Sequence, residues 1–143
     1  MIDSGASDHC FVKRSFFASY STLDNPPMGL SAGKESTFEI TGKGKVEFLT
    51  NINDVQRKIT FNNVLHTPGL RSNLISVSKL NLKGLYMTFG RDKAQVKTLD
   101  GKIVFSAIYF GQLYAVDVNK SITSTFIAQT NTSQSCSAHG TDI

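Results

Sequence analysis

Near the start of the chain, in Met1-Ile2-Asp3-Ser4-Gly5-Ala6-Ser7-Asp8-His9, a carboxylate follows an apolar residue and is itself followed by three short ones. Gly5 can hold backbone conformations closed to other residues, and its N–H can closely approach the Asp3 side chain. The Ser4 hydroxyl can donate to one neighbour and accept from another. A carboxylate braced in this way at a strand end can activate water for attack on a carbonyl, provided that a second carboxylate shares its proton. Asp and Ser also cap turns and helices. Three residues alone do not separate these roles.

A second stretch lies well downstream: Val64-Leu65-His66-Thr67-Pro68-Gly69-Leu70-Arg71-Ser72-Asn73-Leu74-Ile75-Ser76-Val77. Together the two stretches resemble the protease of copia-type retrotransposon Gag-Pol polyproteins, and the resemblance extends over residues 1 to 116. It implies an all-β fold, a retropepsin-like closed β-barrel with one short helix, acting as an aspartic endopeptidase assembled from two copies of the chain. On that resemblance Asp3 is the catalytic carboxylate, Ser4 and Gly5 shape and brace its loop, and Ala6 borders the substrate. Leu74-Ile75-Ser76 stands where retropepsins carry two apolar residues and a Gly ahead of a helix, with Ser76 in the Gly position. A glycine-bearing hairpin forms the flap of such enzymes. Gly42, Lys43 and Gly44 are expected at its tip, and Ala32-Gly33-Lys34 is the next candidate. The implied partners are a second copy and a polypeptide substrate such as Gag-Pol, with no cofactor.

A single Asp-Ser-Gly per chain sharpens that expectation. Two carboxylates that share a proton must come from somewhere, and the other acids lack a comparable setting: Asp8 is only five residues on and Asp100-Gly101 reads as a hairpin. Two chains must then each supply Asp3 in a two-fold dimer. Met1 and Ile2 leave almost no strand ahead of Asp3, whereas members of the resembled family carry more residues upstream, so the domain is expected to be N-terminally truncated. The rival is a non-catalytic β-barrel of the same kind, kept for self-association or peptide binding.

The elements that must position Asp3 follow from patterning. Phe11 to Tyr20 suits a strand end and a short helical turn, and Asp24-Asn25-Pro26-Pro27 is loop. Thr37-Phe38-Glu39-Ile40 alternates apolar and polar residues, Val46 and Phe48 begin a further strand, and Asn51 to Asp54 is a polar turn. Lys58-Ile59-Thr60-Phe61 alternates again. Ser72 or Asn73 is expected to cap a helix running to about Leu82, with Gly84 ending it. Strands follow at Tyr86 to Phe89, Ala94 to Thr98, Lys102 to Phe105 and Gln112 to Val116, with Asp100-Gly101 as a hairpin turn.

Composition bounds the rest. The chain has 143 residues, 40% of them hydrophobic, and a net charge of +4. It reads as one domain over 1–118 and a polar, disordered tail over 119–143. The basic residues are scattered, so nucleic acid is not an expected partner. Cys10 and Cys136 stand apart and only three His are present, which leaves no local metal site. The tail offers only Cys136 and His139, so the zinc-binding region that follows in the resembled polyproteins is absent from it. No apolar run suggests a signal peptide or a membrane span, and an intracellular, cytoplasmic setting with reduced thiols is expected.

Overall fold

Alternation of apolar and polar residues builds the architecture. A computed structural model of the protein, describing residues 1–31, 36–116 and 140–143, consists mostly of strands. In chain order they begin with β1 (Ile2–Asp3), β2 (Cys10–Phe11), a 3-10 turn at Arg14–Phe16 and β3 (Phe17–Thr22). Two hairpins follow, β4 (Met28–Ser31) with β5 (Ser36–Glu39), and β6 (Gly42–Ile52) with β7 (Val55–His66). β8 (Ile75–Ser76) runs directly into the helix α1 (Val77–Leu82). Last come β9 (Tyr86–Phe89), β10 (Lys93–Lys97), β11 (Ile103–Phe110), β12 (Leu113–Val116) and β13 (Gly140–Asp142).

The β6–β7 hairpin is the spine. Val46, Phe48, Thr50 and Ile52 are buried in alternation on β6, opposite Phe61 and Ile59 of β7. Asn53 and Asp54 join the strands with φ of 50° and 63°, the paired left-handed conformation that lets a two-residue turn match strand twist. Around this hairpin the sheet runs β13-β7-β6-β3, with β2 also on β7. A second, antiparallel sheet runs β12-β11-β10-β9. Its β10–β11 connection turns at Asp100 and Gly101 as expected, but not as a two-residue loop: the Gly101 N–H donates to the Thr98 carbonyl at 2.9 Å, and Gly101, not Asp100, takes positive φ, at 86°. Ala94, Val96, Phe105 and Ala107 are buried on this sheet. Phe105 meets Phe61 and Phe48 across the gap, with ring centroids 5.9 and 6.3 Å apart. That aromatic trio joins the sheets into one core.

Several expectations need correction. No sheet closes into a barrel among the described residues, since the path ends at β13 and β3 without pairing them. The second sheet covers the core instead. The helix begins at Val77, capped by Ser76, whose Oγ accepts from the Lys79 N–H; it is not capped by Ser72 or Asn73. Asn73 is held elsewhere, its Oδ1 accepting from the Val12 N–H at 2.8 Å. The expected disorder of 119–143 fails at its end, where β13 pairs in parallel with Lys58, Ile59 and Thr60 and Ile143 enters the core. Residues 117–139 lie outside the described residues.

Gly42-Lys43-Gly44 does not tip a hairpin. It is the first part of β6, paired with β3 on one side and β7 on the other. Its glycines answer crowding: a Cβ on Gly44 would lie 1.8 Å from the Ser19 carbonyl oxygen, and one on Gly42 would lie 2.3 Å from Cζ of Tyr20. Two glycines around one residue look the same in sequence whether they permit a turn or a close strand crossing.

Candidate active site

β1 carries Asp3 to the edge of the core. Ile2 and Ile75 are buried opposite one another, and β1 and β8 run parallel with Asp3 beside Ser76. The Ile75 N–H donates to the Met1 carbonyl at 2.7 Å. Beyond the strand the chain bends, and the Gly5 N–H donates to Asp3 Oδ1 at 2.8 Å. This is the brace that the Asp-Ser-Gly pattern suggested. Even a Cβ on Gly5 would sit only 3.3 Å from that oxygen. Among the described residues no other hydrogen bond reaches the Asp3 carboxylate. Ser4 is exposed, and the Ala6 carbonyl accepts a hydrogen bond from Ser76.

Ser76 latches the loop from the far end of the sequence. Its buried Oγ donates to the Ala6 carbonyl at 2.6 Å, and its N–H donates to His9 Nδ1 at 3.0 Å. The same hydroxyl caps α1, so helix start and Asp3 loop are fixed together. A glycine there would supply the N–H but not the latch. Because Nδ1 accepts, the His9 proton resides on Nε2. The His9 ring lies 4.6 Å from that of Phe61. Sequence reading overlooked His9, and the signal it offered was a titratable ring placed six residues after the carboxylate, inside the motif itself.

Other candidates are engaged elsewhere. Asp8 pairs with Lys79 at 3.2 Å and accepts from the Ser7 hydroxyl at 3.2 Å. His66, part of the second motif, bonds to Tyr20 and Thr41 through Nδ1 and to the Val12 carbonyl through Nε2. It joins strands and touches nothing in the Asp3 loop. Burial pushes the Cys10 thiol up to about 11, with the Asp8 charge adding to the effect, so this thiol is not a nucleophile at neutral pH. A recess of about 510 Å³ opens among Ser19, Lys43, Lys45, Asn62 and Lys83, and Asp3 does not line it. The carboxylate instead belongs to a half-buried residue at the end of β1. Among the described residues no three His, Cys, Asp or Glu gather as a metal site.

Residues 1–85, more than half of the 143, match the family described as Pol polyprotein, beta-barrel domain. The chain belongs to that family. Comparison with curated proteins and with solved structures gave no match. The part shared with the Pol polyprotein beta-barrel domain runs from β1 to the end of α1, and so takes in Asp3, Gly5, His9 and Ser76 together. The four-stranded sheet that supplies Phe105 lies beyond it.

Within this domain His9 sets a pH limit. Burial, then the Lys79 cation, lowers its pKa from 6.5 to about 4, against a smaller opposing pull from Asp8. Below pH 6.5 the unfolded chain takes up a proton that the folded chain refuses, so stability falls as pH drops from 6.5 to about 4 and then levels off. The loss amounts to at most about 3 kcal/mol. Denaturant midpoints measured from pH 7 to 4 should follow this curve. In His9→Asn, whose amide oxygen can accept from Ser76, the slope over this window should flatten. An unchanged slope would assign the acid sensitivity to other groups.

Proposed function

We propose that this Pol polyprotein domain is an aspartic endopeptidase acting as a homodimer, with Asp3 from each copy forming the catalytic pair. The observation that carries this reading is the Asp3 carboxylate, held through one oxygen by the Gly5 amide on a loop that Ser76 latches from 70 residues downstream. Such a loop fixes the position of the carboxylate. One chain provides one such carboxylate, so a second copy completes the site. The ionised Asp3 takes a proton from water as its oxygen attacks the peptide carbonyl. The protonated Asp3 donates to the carbonyl oxygen, and collapse of the tetrahedral intermediate returns a proton to the leaving amine. The two pKa values belong to the pair. No metal or cofactor takes part, and the substrate is an extended polypeptide such as Gag-Pol. Cleavage of Gag–Pol junction peptides, insensitive to chelators and blocked by a peptide bearing a hydroxyl-substituted carbon at the scissile position, tests the reading. Chelator-sensitive cleavage would point to other chemistry.

The remaining flap candidate is the β4–β5 ribbon, whose connecting residues Ala32-Gly33-Lys34 lie outside the described residues. Among the described residues it pairs with no other strand, and Leu30 on it is 80% exposed. An isolated two-stranded hairpin is marginally stable in water, which suits a part that opens and closes. Leu30→Asp should raise KM several-fold while shifting stability by no more than about 0.5 kcal/mol. Steady-state kinetics beside a denaturation curve would check this, and an unchanged KM would remove the ribbon from the substrate path.

A further inference from the structure

Lysines that are scattered along the sequence meet in the fold. Lys43 and Lys45 stand two apart on β6, exposed on the face opposite the buried Val46 and Phe48. Lys83, just past the end of α1, joins them around the recess of about 510 Å³ that Ser19, Asn62 and Asn63 also line. Two irregularities shape this recess. Gly44 faces Val64 and Val46 faces Phe61, so Lys45 alone stands opposite both Asn62 and Asn63. Across the other edge of β6, Val46 faces Phe17 and Lys45 faces Ser19, which leaves Ala18 as an extra residue on β3. Extra residues on both neighbours bend the sheet about Lys45 and re-aim the side chains there. Asn63 holds a φ of 54°, a left-handed conformation that Asn tolerates better than most residues and that recurs at functional sites.

The lining donates and carries no counter-charge. Among the described residues the ion pairs are Lys58 with Glu47 and Lys79 with Asp8, so no carboxylate pairs with Lys43, Lys45 or Lys83. The Ser19 Oγ accepts from the Lys45 N–H at 3.3 Å, which leaves its own proton to donate. Three like charges around one recess repel one another and raise the local positive potential, which an anion relieves. β6 is paired on both edges here, so no peptide can add to it as a strand, and among the described residues no apolar side chain lines the recess to hold one. Phosphate oxygens need neither. We propose that this recess binds a single strand of nucleic acid through its backbone phosphates, at Lys43, Lys45 and Lys83, with Ser19 and Asn63 as neutral donors. The expectation against nucleic acid rested on the scatter of the basic residues in sequence, and here three of them converge. Lys43 and Lys45 are about 6.8 Å apart along the strand, so they meet successive phosphates rather than share one. Among the described residues no aromatic ring lines the recess, so bases are neither stacked nor read, and binding is weak, salt-dependent and indifferent to sequence. Asp3 does not line the recess, so this site stands apart from the peptidase reading.

Fluorescence anisotropy of a labelled thymidine homopolymer about a dozen nucleotides long, titrated with the full chain, tests this. With three phosphate contacts the logarithm of the association constant should fall against that of salt with a slope of about −2, so that affinity drops about 20-fold between about 50 and about 200 mM. Lys43→Gln, Lys45→Gln and Lys83→Gln together should weaken binding at least about tenfold at the lower salt and flatten the slope. Lys43→Arg, Lys45→Arg and Lys83→Arg together keep the charge and should keep the binding. Arg91→Gln, Lys93→Gln and Lys102→Gln, exposed and outside the recess, remove the same charge and should change affinity by less than about twofold. Unchanged denaturation midpoints across these variants keep a loss of fold from passing for a loss of binding. Equal losses in the two glutamine variants would mean attraction by net charge alone and would overturn the proposal, as would a strand that fails to bind at low salt. Competition separates other sources of negative charge. Tripolyphosphate bound as tightly as the strand would assign the recess to a small free phosphate, and polyglutamate bound as tightly at equal charge would assign it to an acidic polypeptide. Either result overturns the nucleic-acid assignment.

Discussion

Asp3→Asn is expected to lower peptide cleavage by about 10³-fold or more while leaving peptide binding and stability nearly intact. The amide keeps the shape of the carboxylate, and its oxygen can still accept from the Gly5 N–H at the distance seen for Oδ1. What it loses is the ability to hold or release the shared proton. The loss should therefore appear in kcat, with KM little changed. A variant that loses binding as well would indicate that Asp3 shapes the loop rather than reacts. Cleavage that survives Asp3→Asn would assign the chemistry to another residue.

Phe105→Ala is expected to destabilise the fold by about 3–5 kcal/mol. Phe105 is fully buried and meets Phe48 and Phe61, whose own rings lie 5.4 Å apart. Truncation would open a cavity between the two sheets, where neither can collapse without losing its register. Against a typical total of about 5–15 kcal/mol, that is a large fraction of the stability. The effect should reach the Asp3 loop as well, since Phe61 also carries the His9 ring. Urea unfolding gives the magnitude, and Phe105→Leu should restore part of it. A loss below about 1 kcal/mol would mean that the second sheet does not seal the core.

Most local signals in the sequence held, the helix cap expected at Ser72 or Asn73 being an exception, and non-local ones did not. Asp3-Ser4-Gly5 predicted its own brace, and Asp100-Gly101 and the polar run to Asp54 predicted their turns, because each outcome is decided within a few residues. Ser76 could be seen only as a small residue in a glycine position. Its roles as latch and helix cap depend on Ala6 and His9 arriving from the other end of the chain. Gly42 and Gly44 misled because their need is set by Ser19 and Tyr20 on β3, not by the chain direction at Lys43. Ile143 was lost in a polar tail, since a single aliphatic residue has no periodicity to betray a strand. The closed barrel came from the family resemblance, and alternation could not check it, because open and closed sheets alternate alike.

The central claim is that two Asp3 side chains form one site. Wild-type and Asp3→Asn chains, mixed at fixed total concentration and left to equilibrate, test it directly. If each site draws one Asp3 from each copy, activity should follow the square of the wild-type fraction, so an equal mixture retains about a quarter of the wild-type activity. Activity linear in the wild-type fraction, with about half remaining in the equal mixture, would mean that one chain suffices and would contradict the account.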